Sequence, residues 1–183
     1  MDAYLAVASK RDERRYAERP IPDDVARRIL EAGRVAGSSR NRQLRTFVVV
    51  GDSARIERLA ETVHAPDNVL GAALVVAIAV RPVGPAEFDA GRAAQNMMVA
   101  AWNEGIATCP TSVHDQPCII ERLGLPRDGE DSVTGRKGWR VVVIIALGYP
   151  EPSVPMSMGR ARLPAEDYVM WEKWGGDKVR SKR

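Results

Sequence analysis

Four short segments of this chain carry more charged and hydrogen-bonding groups than plain connections need. The densest is Ala36-Gly37-Ser38-Ser39-Arg40-Asn41-Arg42-Gln43-Leu44-Arg45, with small residues, two hydroxyls, two side-chain amides and three arginines. Backbone N–H groups at small residues, together with hydroxyls and amides, can line a polar heteroaromatic ligand at close range. The ordinary alternative is a helix end closed by Gly37 and followed by turn formers. The second segment, Ser9-Lys10-Arg11-Asp12-Glu13-Arg14-Arg15-Tyr16, holds four cations. It suits a phosphate through charge-assisted bonds, or simply a solvated helix face. The third runs from Gly105 to Val113, GIATCPTSV, where backbone could approach a flat ligand. The fourth is Gly159-Arg160-Ala161-Arg162. Arginines at i and i+2 of an extended chain point to one side and could clamp one anion; a solvated tail accounts for them as well.

Motifs that would supply the protein's own nucleophile or base are missing. No G-x-G-x-x-G, G-x-x-x-x-G-K-[ST] or G-x-S-x-G occurs, so the usual dinucleotide, P-loop and hydrolase-elbow chemistries have no anchor. Cys109 has no adjacent base and reads as a buried, inert thiol. His64 and His114 lack a Ser, Cys or carboxylate constellation and read as surface or capping residues. Two cysteines and two histidines without a Cys-x-x-Cys give no metal site and no disulfide framework.

The elements that must position these segments follow from hydrophobic period. IPDDVARRILEAGRVAG starts with Pro22, Asp23 and Asp24, suited to a helix N-terminus, and repeats Val25, Ile29, Leu30 and Gly33 at helical spacing. TFVVVG then predicts a strand buried on both faces. SARIERLAETV predicts an amphipathic helix with Ile56, Leu59, Ala60 and Val63 inward, and ALVVAIAV a second buried strand. FDAGRAAQNMMVAAWNEG is helical and apolar almost all round from Met97 to Trp102, which places it centrally or in a subunit interface. Gly105 ends it in the C′ manner. CPTSVHD reads as a loop, DQPCIIERLG as a short helix capped by Asp115, and LPRDGEDSVTGRKG as a mobile stretch without period. WRVVVIIALGYP is the third strong strand. Alternating helices and strands predict a layered α/β or α+β arrangement, which spacing alone does not separate.

At 183 residues, 45% hydrophobic and 28% charged, the chain has the composition of one ordinary globular domain. Its net charge of +3, with acidic residues interleaved throughout, argues against a nucleic-acid-binding module built on SSRNRQLR and DKVRSKR. The longest apolar run, Leu70 to Val80, is eleven residues, well short of the ~20 that span a bilayer. MDAYLAVASKRDERR has no apolar signal-peptide core. A cytoplasmic protein without membrane or nucleic-acid partners is expected.

Taken in order, the four segments resemble those of the FMN-dependent nitroreductases. KRDERRYAERPIPDDVARRILEAG resembles that family's Arg-Arg-Ser-x-Arg segment and Pro-led helix, and Gly37 to Arg45 its Pro-Ser-Ser-x-Asn-x-Gln-Pro-Trp loop. QNMMVAAWNEGI resembles its central helix, and Arg160-Ala161-Arg162 its closing basic pair. The resemblance covers about Ser9 to Leu163 and implies an α+β fold. That fold is a three-layer α-β-α sandwich with a central, mostly antiparallel sheet, formed by a single domain over 1–183 with 164–183 as a C-terminal arm. It also implies a homodimer with FMN in each of two interface clefts and NADH or NADPH as electron donor.

By position, Lys10, Arg160 and Arg162 would hold the FMN phosphate, with Arg11 and Asp12 as further cofactor-binding candidates in the same segment. Arg14 would stand near the pyrimidine edge, with Asn68 as a second candidate there; positive charge at that edge stabilises the reduced, anionic ring. Ser38, Ser39 and Asn41 would reach the flavin from the partner chain. Thr111, Ser112 and Val113 would run beside the ring, a backbone N–H of Ser112 or Val113 reaching its N5. Arg42 and Arg45 are candidates for admitting anionic substrates. The implied cycle is ping-pong: NAD(P)H reduces FMN, leaves, and a nitroaromatic, quinone or similar acceptor takes its place. Dehalogenation, flavin breakdown and flavin binding without turnover are alternatives. Departures from the family pattern are Asp12 for Ser, Gly37 for the first Pro, and Leu44-Arg45 for Pro-Trp. The region Val63 to Leu70 is also short, which implies a reduced lid.

Overall fold

The β-branched runs form the centre of a sheet whose edges receive the functional segments. The computed structural model describes residues 2–126, 138–155 and 161–175. Its strands are β1 (Arg45–Val50), β2 (Leu74–Val80), β3 (Ala107–Thr111) and β4 (Arg140–Gly148). They lie in the order β1-β2-β4-β3, every neighbouring pair antiparallel. Helices are α1 (Ala3–Ser9), α2 (Asp23–Arg34), α3 (Ser53–Ala60), α4 (Ala86–Asn103), α5 (Gln116–Arg122) and α6 (Ala165–Tyr168).

Side chains of a strand alternate between the faces of its sheet, and β2 divides the core accordingly. Val75, Ala77 and Ala79 cluster with Ile56 and Leu59 of α3 and Ile119 of α5. Val76, Ile78 and Val80 cluster with Ile29 of α2 and with Ala90, Ala94 and Met97 of α4. All six β2 side chains are fully buried. Where α2 crosses α4, a Cβ on Gly33 would stand 2.1 Å from Met97 Cε. Only glycine allows that approach.

Several expectations need correction. β1 is not buried on both faces. It is an edge strand in which Arg45 to Val48 are half-buried, Val49 is exposed and only Val50 is buried. Its β-branched run specifies a strand, but not a central one. Cys109, Pro110 and Thr111 are not loop residues but the end of β3. Proline is tolerated there because β3 is the other edge, where one row of N–H groups has no ladder partner. The third helix stops at Ala60; Thr62 and Val63 remain buried, and Val63 instead bridges Val113. α1 was not anticipated; Asp2 caps it by accepting from the N–H groups of Tyr4 and Leu5 at 2.9 and 3.1 Å. Most of the period-free stretch, 127–137, lies outside the described residues. Among the described residues no helix is long and apolar enough to cross a membrane.

Candidate functional site

The cationic N-terminal segment runs from the outer edge of β3 at Thr108 to the residues that follow β4. Glu13 N–H donates to Thr108 O at 3.2 Å, Ala17 N–H to Tyr149 O at 2.9 Å, and Glu151 N–H to Arg15 O at 3.1 Å. Tyr16 is buried beneath this segment and donates its hydroxyl to Glu13 O at 3.0 Å. Trp102 Nε1, near the C-terminal end of α4, donates to Ser9 Oγ at 3.0 Å. This anchoring brings Lys10 against Met98, with Nζ 3.7 Å from Sδ. Lys10 is ion-paired with Asp12, its own side chain only 7% exposed and that of Asp12 45% exposed. Arg11 is used locally, donating through Nη1 to Ala8 O and Lys10 O, both at 2.9 Å. Arg14 is exposed beside Cys109, whose thiol burial pushes up while the guanidinium pulls it down. A raised thiol pKa leaves Cys109 protonated, in keeping with an inert residue.

β3 carries this edge directly into Thr111, Ser112 and Val113. Thr111 is buried, Ser112 exposed and Val113 half-buried. Ser112 O accepts from His64 N–H at 3.1 Å, and His114 N–H donates to Thr62 O at 3.0 Å. The same crossing sets the His64 and His114 rings edge to face, 5.4 Å between centroids. Asn68 closes a 3-10 turn, Pro66–Asn68, that packs on β3 and leaves it half-buried. Lys10, Asp12, Arg14, Asn68 and residues 111–113 therefore share the β3 side of the chain. Thr108 Oγ1, in the middle of that strand, is buried without a hydrogen-bond partner.

The serine-rich loop stands elsewhere. Ser39–Asn41 forms a 3-10 turn, and Arg40, Asn41 and Gln43 have φ of 52°, 53° and 52°. Left-handed backbone is uncommon for residues other than glycine, and such strain persists only where surroundings over-determine it. Here the holding contacts are explicit. Ser39 N–H donates to Asp89 Oδ2 at 2.9 Å and Gln43 N–H to Ser38 Oγ at 3.1 Å. Asp89 belongs to the first turn of α4 and is buried.

Arg45 does not reach toward a substrate. Its Nη2 donates to the carbonyls at the C-terminus of α2, Arg34 O at 3.2 Å and Ala36 O, where a cation complements the helix dipole. Its Nη1 is buried without a partner, and burial lowers its pKa. Arg42 is exposed. The Arg92 guanidinium lies over Gly37, where a Cβ would stand 2.8 Å from its Nη2.

Asp89, which holds the loop, and Met98, which touches Lys10, are nine residues apart on α4, so at 1.5 Å per residue the two segments are separated by about 14 Å along its axis. The structure thus joins two of the predicted groups and keeps the third apart from them within one chain. Arg162 is exposed, with no ion pair or hydrogen bond to Lys10 among the described residues, and Arg160 lies outside them. Sequence reasoning missed Asp89, Arg92 and Thr108. Asp89 had a readable signal: it lies on the face that Ala86, Ala90, Ala93 and Met97 bury, where a carboxylate needs a partner.

Comparison with known proteins gives consistent results. The family model described as "Nitroreductase family" matches residues 7–83 and 70–149. A curated relative named NADH dehydrogenase, from Thermus thermophilus, is 26% identical over 211 residues, covering 93% of this chain and 96% of that protein. The NADPH:FMN oxidoreductase of Vibrio harveyi, solved in complex with NAD+, superposes with a TM-score of 0.79 at 24% identity, covering 93% of this chain and 77% of that one. A Bacteroides fragilis nitroreductase solved with bound FMN gives a TM-score of 0.69 at 22% identity, with 88% and 96% covered. With the antiparallel sheet, the helices on it and the β3-edge segment in place, the chain belongs to the nitroreductase family.

Proposed function

We propose that this protein is an FMN-dependent oxidoreductase that takes electrons from NADH or NADPH and works as a homodimer with one cleft at each end of the interface. The observation that carries the reading is the separation along α4: the cationic segment sits near one end and the serine loop at the other. Neither half of the site is complete in one chain, and a second copy running antiparallel would complete both.

The donor set fits a flavin mononucleotide. A phosphate needs cations, and Lys10, Arg160 and Arg162 are the groups assigned to it, with Arg11 bracing the segment through backbone carbonyls and Asp12 moderating the charge of Lys10. A flavin pyrimidine edge needs donors and positive charge, and Arg14 and Asn68 flank the same strand. Thr111, Ser112 and Val113 lead out of β3 beside the place for the ring, with Ser112 exposed. The buried Thr108 Oγ1, lacking a partner beneath this edge, is consistent with a polar group resting nearby. From the other protomer, Ser38, Ser39 and Asn41 present hydroxyl, amide and backbone groups held by the left-handed turn.

When bound, FMN supplies the hydride-accepting and hydride-donating ring of a ping-pong cycle between NAD(P)H and a nitroaromatic, quinone or similar acceptor. The chain's own residues bind, orient and polarise. Lys10 and the arginines fix one end of the cofactor, Arg14 places positive charge where negative charge develops, and the serine loop covers the cleft. The exposed Tyr4, Leu5 and Val7 of α1, and the exposed Tyr168, Trp171 and Trp174 of the C-terminal arm, supply apolar surface for the second protomer. With helices on both faces of the sheet, the assembled fold is a three-layer dimer.

The test is the visible spectrum of freshly purified protein, with chromophore release and light scattering. FMN near one per chain in a dimer is expected, followed by NAD(P)H oxidation when a quinone or nitroarene is added. A colourless protein that takes up no FMN overturns the reading, and a flavin-loaded monomer overturns the shared cleft. Tight FMN without NAD(P)H oxidation would leave a binding protein.

A further inference from the structure

We infer that Asp89 is a positioning residue that shapes the serine loop of one protomer for the flavin held by the other. The inference rests on the flavin reading above and adds a residue and a mechanism to it.

Residues 33–39 are held by one charged cluster that includes no residue of the β3 side. Arg45 gathers the carbonyls of Arg34 and Ala36. Arg92 lies over Gly37. Asp89 accepts from Ser39 N–H at 2.9 Å. Asp89 is 8% exposed and sits within electrostatic range of Arg45. A buried carboxylate stripped of such partners is costly, so the geometry that satisfies it is strongly preferred. Satisfying it fixes the N–H of the first residue of the turn, directly before Arg40 and Asn41 enter left-handed φ.

Three residues in that conformation would relax if the chain were released at Ser39. Asp89 therefore acts on the flavin through Ser38, Ser39 and Asn41, without touching it. Gly37 belongs to the same arrangement. With no Cβ at Gly37, the exposed Arg92 guanidinium lies close over the backbone there.

The experiment measures FMN affinity by flavin fluorescence quenching in Asp89→Ala, Asp89→Asn and mixed dimers. Loss of a charge-assisted hydrogen bond predicts weaker FMN binding by about 10- to 100-fold in Asp89→Ala. Asp89→Asn, which keeps an acceptor but not the charge, should shift in the same direction by less. Mixed dimers are then made by co-expressing differently tagged Asp89→Ala and Lys10→Ala subunits. One cleft of such a dimer carries both lesions and the other neither. One FMN per mixed dimer at wild-type affinity is the expected result, and a merely structural role for Asp89 would not restore it. If Asp89→Ala fails to fold, Asp89→Asn takes its place in the mixed dimer. Unchanged affinity in both variants, or mixed dimers with no tight site, overturns the inference while wild-type FMN binding keeps the functional reading. Absence of FMN binding by the wild type overturns both.

Discussion

The two ends of α4 hold arginine-rich segments in opposite ways. At the N-terminal end, Arg45 is turned inward on backbone carbonyls, the exposed Arg92 lies over Gly37, Asp89 holds Ser39 N–H, and the product is a shaped, strained loop. At the C-terminal end, Lys10 is nearly as buried but is balanced by a half-exposed Asp12, while Arg14 stays at the surface. Residue composition is similar in both segments. What separates them is the partner each cation finds: Arg45 caps carbonyls near a buried carboxylate, whereas Lys10 meets a carboxylate that is itself half-exposed and Arg14 faces solvent.

The sharpest way to break this comparison is to remove one exposed cation from each end. Arg14→Ala should slow NAD(P)H-driven reduction of bound flavin by about 100-fold, the loss seen when one electrostatic stabiliser of developing charge is removed. Arg42→Ala, at the exposed rim of the loop, should leave the rate within about twofold, as expected of a surface substitution. Stopped-flow absorbance at saturating flavin separates the rate from affinity. Equal effects in the two variants would mean that the ends do not differ in kind.

A second test strikes the helix contact between the two ends. Gly33→Ala puts a Cβ 2.1 Å from Met97 Cε and 2.8 Å from its Cγ. Overpacking of this kind costs about 1–3 kcal/mol, and urea denaturation should show it. Because Met97 neighbours Met98, the contact of Lys10, flavin affinity should weaken along with stability. A variant that loses stability but keeps full affinity would show that α2 packing does not set the β3-edge site.

How much of this was legible in the sequence differs between the ends. The cationic segment and the serine loop stood out by composition alone, and Val75 to Val80 announced a buried strand because both faces are apolar. Edge positions did not. TFVVV looks central until β1 is seen at the end of the strand order among the described residues, and Pro110 hides β3 because proline in a strand is readable only when the edge is known. Arg45 was misread as a substrate contact, since its capping of α2 depends on how β1 returns past that helix end. Asp89 draws no reading from the sequence analysis, although its place on the face that Ala86, Ala90, Ala93 and Met97 bury marks it.

Asp12 offers a finer test within the C-terminal end. Its pairing with Lys10 should weaken the grip on a phosphate without touching the ring. Asp12→Ser should raise the preference for FMN over riboflavin by about tenfold, which is about 1.4 kcal/mol. The two flavins are compared by fluorescence quenching. An unchanged or reduced preference would mean that Asp12 orients Lys10 usefully for the phosphate.

The smallest effect belongs to the exposed pairing beyond both segments, where Arg28 of α2 ties to the residue that ends α4. It donates to Glu104 at 3.0 Å through both Nε and Nη2, and to Asp24 at 2.8 Å. These bonds hold both carboxyls below their ordinary values of 4.5 and 3.8. A depressed carboxyl stabilises the fold above its unfolded pKa, and that stability fades as pH falls through the folded one. Wild type should therefore melt slightly above Arg28→Met from pH 7 down to about pH 5, and the gap should narrow as pH falls further through the depressed values of both groups. Salt should narrow it too, since the groups are solvated. A gap that stays constant across the acid range, with no dependence on pH or salt, would place the contribution of Arg28 in the packing of its aliphatic stem. In that case this outer contact would resemble Arg45 at the other end of the helix, a cation kept for its place in the scaffold.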